Sequence, residues 1–291
     1  MKKTLWGLLA LTAVCLYGEE DWESKSYWDF HPAHVGGNGL WNGSADLSDQ
    51  PGHLLFNKEN VYAYMLLPIS RDSFFIPRIE WNTFKLDWNR NPRFKETRFK
   101  YIQYALTFYS TALEKWKWIL RAEYNMNQKH SAVEYGLFST LAWGAYELNE
   151  KWHYHIGFLT YMGLRGGWVY PLIGLDYALN KEWRFQVIFP IDYSIQYSIG
   201  ERWRLSLKAR PLRERFRVDS DEPHPRSIFN YSSIGTEFNV HYEQFLRLEI
   251  EAFAGYNWGG TLYIKDHNGK NALYTDFGGA PYGGASLNFG F

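Results

Sequence analysis

Ile119-Leu120-Arg121-Ala122-Glu123-Tyr124-Asn125-Met126-Asn127 sends Leu120, Ala122, Tyr124 and Met126 to one face of an extended chain and Arg121, Glu123, Asn125 and Asn127 to the other. At helical spacing the two sets would scatter around the axis, so the stretch reads as a strand with one apolar and one polar face. The same alternation recurs at Ile191–Ile199, Trp203–Arg210 and Leu246–Asn257. From residue 59 onward it yields thirteen strand-like segments of about ten residues, separated by turn residues.

A soluble β-sandwich also alternates, with one face buried and one wet. Here the apolar face ends in Trp, Tyr and Phe rather than Val and Ile, and the opposite face holds Arg, Glu, Gln, Asn, Gly and Ser. Lipid outside, a polar lumen inside and aromatic girdles at both interfaces account for that distribution. The fold class is therefore all-β, an antiparallel transmembrane β-barrel. Aromatic residues make up 19% of the 291, and the barrel gives that excess a location. A mean hydropathy of −0.42, with no run of about 20 apolar residues in the mature chain, excludes a bundle of membrane helices. Aromatic richness argues against disorder, and 31 basic against 31 acidic side chains give no reason to expect nucleic acid.

The turns are asymmetric. Leu113-Glu114-Lys115-Trp116, Asn149-Glu150-Lys151-Trp152, Asn180-Lys181-Glu182-Trp183 and Gly200-Glu201-Arg202-Trp203 are short and charged, and each delivers a Trp into the next strand. Longer segments, among them 89–97, 128–133, 216–227 and 259–281, lie between them. Short turns face the periplasm in outer-membrane barrels, so Trp116, Trp152, Trp183 and Trp203 are expected as the periplasmic girdle. The 20-residue interval between Trp183 and Trp203 demands a very tight outer turn at Pro190-Ile191-Asp192.

Residues 1–18 read as a secretory signal peptide, with Lys2 and Lys3 before an apolar Leu5–Leu16 stretch; cleavage would also remove Cys15, the only cysteine. Residues 19–58 form an N-terminal segment and 59–291 the barrel. Even strand number with both ends periplasmic requires one strand beyond the thirteen, expected within Lys25–Val35; fourteen strands is the first expectation and twelve the second. The Gly-rich 36–52 would be an outer loop or a segment folded into the lumen.

The last ten residues, Tyr282-Gly283-Gly284-Ala285-Ser286-Leu287-Asn288-Phe289-Gly290-Phe291, end on an aromatic with Leu287, Phe289 and Phe291 alternating. This resembles the C-terminal signal of bacterial outer-membrane β-barrel proteins. The resemblance implies insertion into the bacterial outer membrane by the barrel assembly machinery, with outer-membrane lipid as the surroundings. Segments 183–190 and 193–207 further resemble an uncharacterised outer-membrane barrel family of similar length, which defines no functional residues.

Lys117, Arg121, Glu123, Arg184, Arg204, Lys208, Arg210, Glu237, Arg247, Glu249 and Glu251 fall on the polar face and are expected to line the lumen. Two arrangements are open: an eyelet of opposed charges selecting small polar solutes, or cross-strand pairs filling a closed interior. The basic run from Arg202 to Arg217 reads as a solvated strand end. His153 and His155 read as polar lining rather than a metal site, and no cofactor is expected. Asn91–Thr97 resembles a loop of the outer-membrane phospholipase family, but the His-x-Ser constellation of that family is missing, so no catalytic residue is assigned. The expected function is a passive porin-like channel or a structural surface protein. A lipid-modifying outer-membrane enzyme is the rival, and a secreted aromatic-rich carbohydrate binder the third reading.

Overall fold

The structure is a computed structural model and describes residues 32–48, 51–89, 91, 94–130, 132–244 and 247–291. The expected signal peptide, Cys15 and most of Lys25–Val35 lie outside the described residues. The strands are β1 (Ala33–Asn42), β2 (Ala45–Asp46), β3 (His53–Met65), β4 (Leu67–Ser70), β5 (Ser73–Trp88), β6 (Arg98–Ser110), β7 (Trp116–Asn127), β8 (Leu137–Asn149) and β9 (Trp152–Gly163). They continue as β10 (Gly166–Ala178), β11 (Trp183–Phe189), β12 (Asp192–Ile199), β13 (Trp203–Arg217), β14 (Ile228–Gln244), β15 (Leu248–Lys265), β16 (Leu273–Phe277) and β17 (Ala280–Gly290).

Each long strand pairs antiparallel with its sequence neighbours. The sheet closes where β1 meets β17, from His34 opposite Gly290 to Asn42 opposite Tyr282. β4 prolongs β3, while β2 and β16 are short pieces beside β3 and β15, so the closed barrel has fourteen staves. Closure leaves no lipid-exposed sheet edge, the condition for a β-structure to span a bilayer. The first described strand is β1, which shares Ala33, His34 and Val35 with the expected Lys25–Val35 and runs on to Asn42. It takes in Gly36, Gly37 and Gly39, so part of the stretch expected as a loop is wall. The reason is steric: a Cβ on Gly36 would stand 2.6 Å from the Tyr62 ring, and one on Gly39 would stand 2.4 Å from the Trp41 ring. The glycines leave room for aromatic rings laid over the strand.

Both ends of the barrel chain meet at one rim, where the Phe291 amide donates to the Ala33 carbonyl at 2.9 Å. The short turns lie on this same rim, the one expected to be periplasmic. Each Trp expected in the girdle sits directly opposite a Tyr of the next strand: Trp116 by Tyr146, Trp152 by Tyr177, Trp183 by Tyr197 and Trp203 by Tyr242, with ring centroids 4.3 to 5.1 Å apart. Val61, Leu106, Ile156, Leu207 and Phe238 stand exposed on the outer face, as lipid-facing residues must.

The interior is packed. Toward the outer rim Phe56, Phe84, Phe94, Phe99, Phe216, Phe229 and Tyr231 form one apolar cluster. Toward the periplasm Tyr64, Ile119, Trp143 and Leu172 belong to a second.

Candidate functional site

Between the two apolar clusters runs a polar layer. Asn60 Nδ2 and Arg78 Nη2 donate to Glu80 at 2.5 and 2.7 Å, and Gln103 Nε2 donates to Glu123 at 3.0 Å. Arg121 Nη2 reaches the same Glu123 at 2.5 Å. Of the residues expected in the lumen, Arg121, Glu123, Arg184, Arg210 and Glu237 are buried on inward faces. Lys117, Arg204, Lys208, Glu249 and Glu251 are half-buried on the same faces. Arg247 does not join them. It is exposed in the periplasmic turn, where its amide donates to the Gln244 carbonyl, because β15 begins only at Leu248.

The charges pair locally. Arg184 holds Asp176 on the adjoining β10, Arg210 holds Glu237 on the adjoining β14, and Lys208 Nζ lies 3.3 Å from Glu251 Oε1. Among the described residues these charges pair with one another, which is the arrangement of a filled interior rather than of a transverse-field eyelet. His155 is buried and accepts the Trp143 indole N–H on Nδ1 at 3.0 Å. Among the described residues no cluster of three His, Cys, Asp or Glu is placed to hold a metal. Leu287 and Phe289 face outward on β17, and Phe291 follows it, exposed at the rim.

Among the described residues one ion pair spans the lumen. Lys58 Nζ on β3 reaches Glu214 Oε1 on β13 at 2.6 Å, although the two staves are not neighbours. The outer half of β13 explains this. The hairpin of β11 and β12 is only seven and eight residues long, turning at Pro190-Ile191 as its spacing demanded. Its ladder with β10 stops at Ile173 and its ladder with β13 stops at Ala209. Above that level 166–172 of β10 pair only with β9, and 210–217 of β13 pair only with β14.

Freed from a neighbour, the outer half of β13 leans into the lumen. Its inward face carries Leu212, Glu214 and Phe216 to the far wall, where Phe216 meets Phe84 and Phe99. Its other face is partly covered, with Arg213 exposed, Arg215 half-buried and Arg217 buried. The Arg215 guanidinium lies 4.3 Å over the Trp168 ring of β10 and donates to the Leu164 carbonyl at 2.5 Å. Arg213 stands over Tyr170, and Arg217, 3% exposed, donates to the Glu134 and Arg226 carbonyls. The reading of this basic run as a solvated strand end holds for Arg202 and fails for Arg210 and Arg217, since the strand end turns inward rather than outward.

A cavity of about 350 Å³ lies between this inturned arm and the wall formed by β7 to β10. Arg121, Arg213, Arg215 and Arg217 line it, with Tyr161 and Tyr170. The Arg121 Nε and the Arg215 Nε and Nη1 are buried and meet no hydrogen-bond acceptor among the described residues. Sequence reasoning found Arg121 but not Tyr161, Tyr170 or the role of Arg213 and Arg215. The available signal was the short 183–199 hairpin, whose length implies unpaired neighbours.

On the outer surface, Asp219 gathers His130 Nε2 at 2.7 Å and Lys129 Nζ at 3.2 Å, while Lys129 also reaches Glu96 at 3.0 Å. Partial burial pushes the Asp219 carboxyl up, but hydrogen bonds from His130, the Ser220 amide and Lys129 outweigh it and hold the group down at about 2. Glu96, more deeply placed, is raised by burial.

A crystal structure of the COG4313 outer membrane channel from Pseudomonas putida F1 is similar in fold, with a TM-score of 0.52 at 7% identity over 94% of this chain and 99% of that one. An uncharacterised protein of Chlamydia pneumoniae is 27% identical over 67% of this chain, and the match spans 63% of that relative's length. An uncharacterised protein of Chlamydia muridarum is 21% identical over 99% of this chain and 97% of its own. The fold is that of outer-membrane barrels. Residues 88–290 match the family described as Domain of unknown function (DUF6268), and the chain belongs to that family.

Proposed function

We propose that the protein is a narrow, side-chain-gated channel of the bacterial outer membrane, passing small polar solutes rather than catalysing a reaction. The observation that carries this reading is the cavity beside the inturned arm. It is a solute-sized space inside a membrane-type barrel, lined by charged groups with unused donors. Because apolar clusters pack both above and below the polar layer, passage requires the arm of β13 and β14 to move; a permanently open porin is not the geometry on hand. The reading assigns export to residues 1–18 and recognition by the barrel assembly machinery to Leu287, Phe289 and Phe291, with outer-membrane lipid against the exposed aliphatic belt. It assigns no cofactor and no catalytic residue.

Planar bilayer recording on the refolded protein tests it. Brief, small conductance steps are expected, becoming larger and longer when the arm is loosened by Phe216→Ala. A variant that is correctly folded yet silent over long recordings would turn the assignment toward a structural surface role.

A further inference from the structure

The barrel wall has a window. A strand rises about 3.3 Å per residue and outer-membrane strands tilt about 40°, so the seven residues of β11 climb roughly 18 Å, short of an apolar band about 25 Å tall. The gap above Pro190-Ile191 therefore opens at the depth of the outer leaflet. Its sides are the unpaired edges of 169–172 and 210–213, and its top is bridged by Arg215 to Trp168 and Leu164. Pro171 and Pro211 flank it, at sheet edges where a missing N–H is tolerated. Val169, Pro171 and Phe189 are exposed around the opening. Unpaired backbone at membrane depth persists only where it is buried in protein or lines a cavity, and this gap leads to one.

The cavity behind the window holds more cations than anions: its two carboxylates, Glu123 and Glu214, are met by Arg121 and Lys58, and Arg213, Arg215 and Arg217 line it besides. Arg121 shares its carboxylate with Gln103 and keeps a buried Nε without an acceptor. Among the described residues Arg215 is met by one carbonyl and an indole face, and the exposed Arg213 stands on a tyrosine ring. Buried guanidinium nitrogens without acceptors mark a place where an anion would recover lost hydrogen bonds. Phe99 and Phe216 of the outer apolar cluster line the cavity on one side, and Pro190, Ile191 and Pro211 line it at the window.

We propose that this cavity takes an anionic amphiphile laterally from the outer leaflet, its acidic head on Arg121, Arg213 and Arg215 and its apolar tail leaving past Val169, Pro171 and Phe189. The inference rests on the barrel lying in a membrane and goes beyond the channel reading, since an amphiphile taken from the leaflet is a different ligand from the small polar solutes of the conducting path.

The test is photolabelling of the refolded wild-type protein in neutral vesicles with a diazirine-bearing dodecyl phosphate, and with the matching dodecanol. The phosphate is expected to label 166–172 and 210–217 at least fivefold more than the alcohol, and the double variant Arg213→Ala/Arg215→Ala is expected to lose that excess. Competition by phosphatidic acid in the vesicle would identify a membrane lipid as the ligand's source, and competition by free dodecanoate a soluble acid. Equal labelling by phosphate and alcohol, labels spread evenly around the belt, or competition by neither acid would overturn the site on wild-type protein alone. Conductance is read separately. Labelling without conductance keeps the site and removes the channel, whereas conductance without localised labelling does the reverse.

Discussion

Phe99 on β6 and Phe216 on β13 stack with ring centroids 4.9 Å apart, although six staves lie between theirs in either direction around the barrel. A circular barrel of fourteen strands spaced about 4.8 Å and tilted about 40° would be roughly 28 Å across its backbone. Two phenylalanines cannot bridge that span, so the contact exists because the arm of β13 and β14 crosses the lumen. Phe99 is 1% exposed and also meets Phe229, which makes the contact part of a cluster rather than a lone touch.

Phe216→Ala should therefore weaken the arm without breaking the wall. Loss of a buried ring costs about 3 kcal/mol in a cluster of this kind. The barrel ladder, held elsewhere, should keep its heat-modifiable mobility in gels. Hydrogen exchange should speed up in 210–217 and 228–233 while β7 to β9 stay protected. Uniform acceleration around the barrel would show that the arm is part of the global fold rather than a separable unit.

The four Trp and Tyr pairs invite a second measurement. Trp203 faces Tyr242 across a single ladder position with their rings 4.8 Å apart, and the other three pairs repeat the arrangement at the same rim. Cross-strand aromatic pairs contribute about 1 kcal/mol, and ring placement at the interface adds to it. Trp203→Ala should lower stability against urea in lipid vesicles by about that amount, with Trp203→Phe closer to wild type. Equal losses from both would mean that hydrogen bonding by the indole, and not ring stacking, is what matters.

Most of the wall was readable from one-dimensional pattern. Leu120, Ala122 and Tyr124 against Arg121 and Glu123 set the strand period, the four Trp residues each follow a short turn at one rim, and the parity rule demanded the strand that appears as β1. β1 itself was misplaced because Gly36, Gly37 and Gly39 carry no side chain to alternate, and their vacant volume is filled by rings from Tyr62 and Trp41. The site was far less legible. Alternation assigns Arg213, Arg215 and Arg217 to an outward face, and only the tertiary departure of the arm from the wall turns that face onto Tyr170, Trp168 and the Glu134 carbonyl. No local pattern encodes a strand that leaves its own sheet layer.

Arg184 and Asp176 offer a third test. Asp176 has no exposed surface, and the Arg184 Nε and Nη2 form a two-point contact with its carboxylate. Removing one partner of a buried pair leaves an uncompensated charge and costs about 3 to 5 kcal/mol, whereas replacing both with apolar residues of similar size is often neutral. Arg184→Met should sharply reduce the folded fraction on refolding, and Arg184→Met/Asp176→Leu should recover most of it. Failure of the double variant to recover would assign the pair a further partner in the lumen.

Acid should open the outer loops in a defined window. Asp219 titrates at about 2 in the folded chain, against about 3.9 for a free aspartate, because its hydrogen bonds favour the ionised form. A depressed carboxylate contributes stability that is present in full above the unfolded value and is lost as pH falls through the folded one. Limited proteolysis of 216–227 should thus be unchanged from pH 7 to about pH 4.5 and should rise between about pH 4 and pH 2. Asp219→Asn removes the charge that gathers Lys129 and His130, so the variant should be cut faster already at neutral pH, with no further acid transition. A wild-type transition centred above pH 5 would place the control of this loop on a group other than Asp219.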